Sequence, residues 1–194
     1  MRKLYVFDMR TLDGFFEGPG REIDWQNVDK EFNKFAGHQL NKTDIILFGR
    51  VTYELMVQYW PSEYAIQNDP IIAHTMNTIP KIVFSKTLEL GDWNNTRLIK
   101  DTIEEEVSNI KHQPGMEIAI FGSSDLAATF IQSGLIDEYR IKIDPVILGS
   151  GKSLFNGIRD RHNLILIKTK SFNSGNVLLY YQPDRKEQLQ LPWV

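Results

Sequence analysis

The sequence predicts an α/β fold: a mostly parallel sheet with antiparallel strands at its C-terminal edge. Three observations lead there. Short runs at 44–48, 81–84 and 118–121 are rich in Ile, Leu, Val and Phe, which suits strands buried on both faces. Each run ends in a Gly or Ser turn, and two of those turns open directly into a segment of helical spacing. The last two strand-like runs, 164–168 and 177–182, flank Asn173-Ser174-Gly175-Asn176, a hairpin turn.

Taken in order, residues 3–7 form a first strand. Thr11-Leu12-Asp13-Gly14 follows, then a stretch in which Gly14, Gly18, Pro19 and Gly20 argue against a regular element. A long loop straight after a buried strand reads either as a lid over a site or as a plain connection. Val28, Phe32, Phe35, Ala36 and Leu40 give helical spacing over 27–40. The strand at 44–48 leads through Gly49-Arg50 into a helix that Pro61 stops. Asp69-Pro70 reads as N-cap and first position of a helix through Thr78. The strand at 81–84 ends in Ser85-Lys86-Thr87. Thr102-Ile103-Glu104-Glu105 has the form of a capping box for a helix to about His112. The strand at 118–121 runs into Gly122-Ser123-Ser124-Asp125, good N-cap residues for a helix starting near Leu126, and Gly134 suits its left-handed end. A further strand alternates Tyr139, Ile141 and Ile143 with Arg140, Lys142 and Asp144. Residues 1–183 read as one domain. Residues 184–194 read as a tail whose Leu189, Leu191 and Trp193 alternate, a pattern suited to packing on the body or on a second copy.

The chain of 194 residues is long enough for one full core. A net charge of −3 without a basic stripe points away from nucleic acid. No apolar run approaches the 18 or so residues of a membrane helix, and the N-terminus lacks signal-peptide form, so a cytoplasmic location is expected. The chain has no cysteine, which excludes disulfides, thiolate catalysis and zinc–cysteine sites. His38, His74, His112 and His162 lack ligand spacing, so no metal is expected. Gly149-Ser150-Gly151-Lys152-Ser153 mimics the end of a phosphate loop, but Val146 stands where that motif needs its first glycine. There is no G-x-G-x-x-G, and Ser123 and Ser124 are not in a nucleophile elbow.

At each turn a polar reading competes with a plain one. Arg50 suits a phosphate, or a surface ion pair. Ser85 and Lys86 suit a phosphate, or a polar turn. Gly122 and the helix after it offer free N–H groups to an anion, or only connect a strand to a helix.

These turns in this order, with Asp13-Gly14 after the first strand and Asp144-Pro145-Val146-Ile147-Leu148-Gly149-Ser150-Gly151 near the end, resemble the dihydrofolate reductase superfamily. The match is closest to the subgroup built like the C-terminal reductase domain of the riboflavin-biosynthesis protein RibD. The resemblance covers residues 2–183 and implies a three-layer α/β/α fold and an NADPH-dependent reductase of a small pterin- or pyrimidine-like ring. It implies that Gly49, Arg50 and Thr52 lie along the cofactor phosphates, that Ser85 and Lys86 hold the 2′-phosphate, and that Phe121, Gly122, Ser123, Ser124 and Leu126 form the turn under the pyrophosphate. Asp29, among Asp24, Asp29 and Glu31, matches the family's acidic residue, and Asp13, Trp25 and Phe32 fall on the substrate side. Ser123 replaces the second glycine of a Gly-Gly pair. Trp25 and Trp60 are expected near the site, and a homodimer is expected. The alternative is a non-catalytic ligand-binding or assembly module on the same fold.

Overall fold

A computed structural model describes residues 1–185; Leu189, Leu191 and Trp193 of the tail lie outside the described residues. The elements are β1 (Leu4–Thr11), β2 (Phe15–Glu17), α1 (Lys30–Leu40), β3 (Thr43–Gly49), α2 (Arg50–Tyr59), α3 (Glu63–Asn68), α4 (Pro70–Thr78) and β4 (Lys81–Phe84). They continue with β5 (Thr96–Ile99), α5 (Ile103–His112), β6 (Glu117–Phe121), α6 (Ser124–Gln132), β7 (Glu138–Asp144), β8 (Lys152–Ser153), β9 (Leu164–Ser171) and β10 (Val177–Pro183).

The main sheet has eight strands in the order β5-β4-β3-β6-β1-β7-β10-β9. The first six are parallel, and β10 and β9 are antiparallel at the edge. One face packs Leu4, Val6, Ile118 and Ile120 against Val107 and Ile110 of α5 and Leu126, Ala127 and Phe130 of α6. The other packs Tyr5, Phe7, Ile46 and Phe48 against Phe32 of α1, Tyr53 of α2 and Met76 of α4. The mostly parallel sheet is the one that the alternation of strands and helices predicts, and the helices on both its faces give the three-layer arrangement that the resemblance implies.

Several local expectations change. The glycine-rich stretch does hold a short strand, β2, because its partner β8 supplies the ladder: Phe15 faces Ser153 and Glu17 faces Lys152. A Cβ on Gly151 would sit 2.3 Å from the Glu17 carbonyl oxygen, so this crossing needs a glycine. The Gly-Ser-Gly-Lys-Ser sequence is thereby a strand contact. α1 begins at Lys30 because Asp29 caps it, its carboxylate accepting from the Phe32 N–H at 2.7 Å. The Thr102 capping box does not form: Thr102 is left-handed (φ 54) and its hydroxyl caps nothing. α6 begins at Ser124, and Ser123 (φ 54) makes no side-chain cap. β5 and α3 are additional, the latter capped by Ser62.

The strands also bury charge. Asp8 and Arg10 on β1, and Glu138, Arg140, Lys142 and Asp144 on β7, are all less than 9% exposed. Side chains two apart on a strand share a face, and each opposite pair meets there: Arg10 Nε to Asp8 at 3.2 Å, Arg140 Nε to Glu138 at 2.5 Å, Lys142 Nζ to Asp144 at 2.7 Å. Arg140 is further held by both oxygens of Glu117 at 2.8 Å and lies 3.6 Å from the Tyr5 ring centre. Among the described residues no helix is long and apolar enough to cross a membrane.

Burial pushes the Asp8 carboxyl up to about 6 from its ordinary 3.8, against the pull of Arg10. Between those values the folded chain binds the extra proton. This group therefore lowers stability as pH rises from about 4 to about 6, by roughly 3 kcal/mol. Urea midpoints at pH 4, 5 and 6.5 should show that slope in the native chain and its loss in Asp8→Asn, whatever constant offset the unpaired Arg10 adds.

Candidate active site

The residues singled out from the sequence gather at the carboxyl edge of the parallel strands. Phe84 is in register with Gly49, and Leu47 with Ile120. The turns after β4, β3 and β6 therefore stand side by side along roughly 10 Å of edge, at about 4.8 Å per strand.

Two of these turns are tied together by Ser123. Its hydroxyl accepts from the Gly49 N–H at 3.0 Å and donates to Thr52 Oγ1 at 2.8 Å, while its own N–H reaches the same Thr52 oxygen at 3.1 Å. The left-handed pair Gly122 (φ 56) and Ser123 (φ 54) aims the chain into this contact. Ser123 occupies a backbone region that costs a non-glycine residue about 1–2 kcal/mol, and its three hydrogen bonds offset that strain. The result sets the N-termini of α2 and α6 next to each other. Neither has a side-chain cap, so the first-turn N–H groups of both remain available to an anion.

The flanking cations differ in freedom. Arg50 lies at the first turn of α2, exposed, with both Glu54 carboxylate oxygens within 3.0 Å. Lys86 is 79% exposed and 4.0 Å from Asp101. Ser85 Oγ accepts from the N–H groups of Thr87 and Leu88 at 3.2 and 2.9 Å, closing the turn after β4. Ser124 is buried and Leu126 lies in the core.

The residues expected on the substrate side lie beyond β6, around β1 and β7. Phe121 meets Phe7 edge-on at 5.8 Å, and Phe7 stacks on Phe32 at 6.2 Å, so an aromatic row joins the two halves of the edge. Phe32 is 2% exposed. Trp25 is half-buried in the segment before α1. Asp29 is the cap of α1, and the hydrogen bond from the Phe32 N–H holds its carboxyl below the ordinary range. Asp13 is exposed and accepts from the Gly149 and Leu148 N–H groups at 2.7 and 3.3 Å, binding the loop after β7 to the loop after β1. Trp60 is not among them. It ends α2, roughly 15 Å along the helix from the turn, and packs on Tyr59.

Asp8, Arg10, Lys142 and Asp144 also lie toward this edge, and none of them is among the site residues read from the sequence. Their signal is legible: opposite charges two residues apart inside an otherwise apolar strand. Among the described residues no cluster could hold a metal ion. A groove of about 530 Å³ runs among Leu40, Thr43, Thr78, Pro80 and Met116, at the amino ends of β3 and β4, opposite this chemistry.

A sheet of this order, with helices on both faces and its turns gathered at one edge, is the dihydrofolate reductase-like fold. Within it the chain belongs to the RibD C-terminal domain family, whose model it matches over residues 2–178. It is 40% identical over 173 residues to the uncharacterized protein YyaP of Bacillus subtilis (strain 168), covering 88% of this chain and 89% of that one. Among solved structures it resembles a Shewanella sp. PV-4 protein provisionally assigned to riboflavin biosynthesis, with a TM-score of 0.72, 21% identity, and 94% and 99% of the two chains covered. It also resembles the diaminohydroxyphosphoribosylaminopyrimidine deaminase/5-amino-6-(5-phosphoribosylamino)uracil reductase of Thermotoga maritima. There the TM-score is 0.67 at 14% identity, with 94% of this chain and 56% of that one covered.

The Ser123–Thr52 contact gives a direct test. Thr52→Val removes the acceptor of two hydrogen bonds and should cost about 1–3 kcal/mol in denaturant unfolding. Ser123→Gly relieves the left-handed strain yet loses the hydroxyl, and should cost less than Thr52→Val.

Proposed function

We propose that the chain is an NADPH-dependent reductase of a small heterocyclic compound, pterin- or pyrimidine-like. The observation that carries this reading is the pair of uncapped helix N-termini locked together by Ser123, with Arg50 on one side and the Ser85-Lys86 turn beyond it. Two positive helix ends in contact suit the two phosphates of a pyrophosphate. Arg50 would leave Glu54 for a phosphate oxygen. The exposed pair it gives up is worth little, whereas a charge-assisted bond to phosphate is worth more. Ser85 and Lys86 would hold the 2′-phosphate. NADPH bound in this way supplies the hydride. The chain's own residues bind its phosphates, exclude water over Phe121 and Phe7, and present Asp29 to the acceptor. Membership of the RibD C-terminal domain family supports a reductase of the riboflavin-pathway type.

One observation favours the alternative, a ligand-binding or assembly module without catalysis: the Asp29 carboxylate already serves as a helix cap. A titration of NADPH and NADH by nucleotide fluorescence separates the two. Micromolar NADPH binding that exceeds NADH binding and weakens tenfold or more in Arg50→Ala and in the Ser85→Ala/Lys86→Ala double variant supports the reductase. A loss of this size matches about 1.5–3 kcal/mol per charged contact. No binding of either nucleotide at millimolar concentration rejects it.

A cytoplasmic homodimer completes the proposal. β9 is an edge strand whose Leu164, Ile165, Leu166 and Ile167 are 37–50% exposed on both faces, the kind of edge that seeks a partner. Light scattering should give twice the chain mass, and Ile165→Lys with Ile167→Lys should return the monomer.

A further inference from the structure

The two charged groups that end β7 have no part in the reading above. Lys142 and Asp144 have side chains 0% and 1% exposed, with Nζ and Oδ1 2.7 Å apart. The other contacts of the ammonium are Met9 Sδ at 3.9 Å and the Phe32 ring centre at 4.9 Å, and the Asp29 carboxylate acts on it through space. Burial pulls the Lys142 ammonium below its ordinary range, and Asp144 opposes that pull. Attraction within a buried pair often fails to exceed the desolvation of its two ions, so a stabilising role alone does not account for this one.

The partners of Asp144 suggest another role. The oxygen that accepts from Lys142 also accepts from the Asn27 N–H at 2.8 Å, a contact across 117 residues of sequence. The Asn27 carbonyl is held by Asn176 Nδ2 at 2.8 Å, and its side-chain amide reaches the Ser174 carbonyl at 3.4 Å. Asn27 is thus gripped on both sides of its backbone, two residues after Trp25 and two before Asp29. Asp144 Oδ2 and Asn176 Oδ1 are buried without a hydrogen-bond partner. The polar groups here are not arranged for full mutual satisfaction, as a purely structural network would be.

We propose that the Lys142–Asp144 pair is a positioning device for the acceptor side. Asp144 fixes the Asn27 backbone, Lys142 keeps that carboxylate ionised and oriented, and the segment carrying Trp25 and Asp29 is thereby set against the sheet edge. The inference rests on the reductase reading for what Asp29 meets, and on geometry alone for the latch. The charged groups around Asp29 are Lys142 from β7, and on its own helix Glu31, which Lys170 of β9 approaches at 3.7 Å.

Hydrogen–deuterium exchange on the intact chain tests the latch. Asp144→Ala should raise exchange in the peptide covering residues 21–29 tenfold or more and leave β1 and β6 protected. The double variant Lys142→Met/Asp144→Leu should do the same with an unchanged or higher thermal midpoint, since a packed apolar pair replaces a buried ionic one. Carboxyl carbon NMR, with the Asp29 signal assigned through Asp29→Asn, should show its titration moving to higher pH in Lys142→Met and returning in Lys142→Arg. Unchanged exchange at 21–29, or exchange rising equally throughout with a lowered midpoint, would overturn the proposal and make the pair a core staple. Failure of the native chain to bind NADPH would remove the reductase reading and leave the exchange result standing.

Discussion

The carboxyl edge of this sheet depends on one side chain meeting two others. Ser123 binds the amide that starts α2 and the hydroxyl in its first turn, while starting α6 itself. Each helix N-terminus carries roughly half a positive charge, so electrostatics alone would push the two apart. Three hydrogen bonds hold them together, at the expense of a left-handed serine. An anion placed between the two ends would relieve that repulsion. Pre-organisation here means that the repulsion is met on folding, before any ligand arrives.

A second constraint runs along the strands. Three opposite-charge pairs occupy one face each at a spacing of two residues, in the middle of the hydrophobic layers. They differ in how well they are satisfied. Arg140 lies between two glutamates and over an aromatic ring, its Nε donating to Glu138 and its Nη2 to both Glu117 oxygens. Arg10 and Asp144 each keep a buried polar atom without a partner, and both lie toward the carboxyl edge. Of the three pairs, the two that reach furthest toward the carboxyl edge are thus the ones left with a buried polar atom unmatched.

Much of the fold was legible because the signals were local. Gly49-Arg50-x-Thr52 behind a buried run, Pro70 at a helix start and the Asn-Ser-Gly-Asn hairpin turn each report their own geometry. β2 and β8 were not legible, since each is held by the other across more than a hundred residues, and glycine around Phe15–Glu17 speaks against a strand. β5 is short and half-exposed, with Arg97 in its middle. At the site, types and places were readable, but not partners. Asp29 matched the family's acidic residue and is also a cap; Ser123 looked like a cap and is a bridge between two helices. Thr102 had the right neighbours for a capping box, but its left-handed backbone does not let its hydroxyl reach the turn. The strand charges were visible as a pattern, but which of them are left partly unsatisfied is decided only by packing.

The strand order also bears on how the chain comes to be folded. β1 lies between β6 and β7, both made more than a hundred residues after it, where Leu4 pairs with Ile118 and Tyr5 with Glu138. No earlier segment completes either of its ladders. At about 5–20 residues per second of synthesis, the N-terminal strand waits on the order of ten seconds with Leu4, Tyr5, Val6 and Phe7 uncovered. β3 and β4, by contrast, are separated only by the crossover that carries α2, α3 and α4. Both ladders of β1 can therefore close only after β6 and β7 have been made. Contacts of such separation make that last step slow, and a nascent chain that stalled before residue 117 would expose an apolar strand with nothing of its own to pair with.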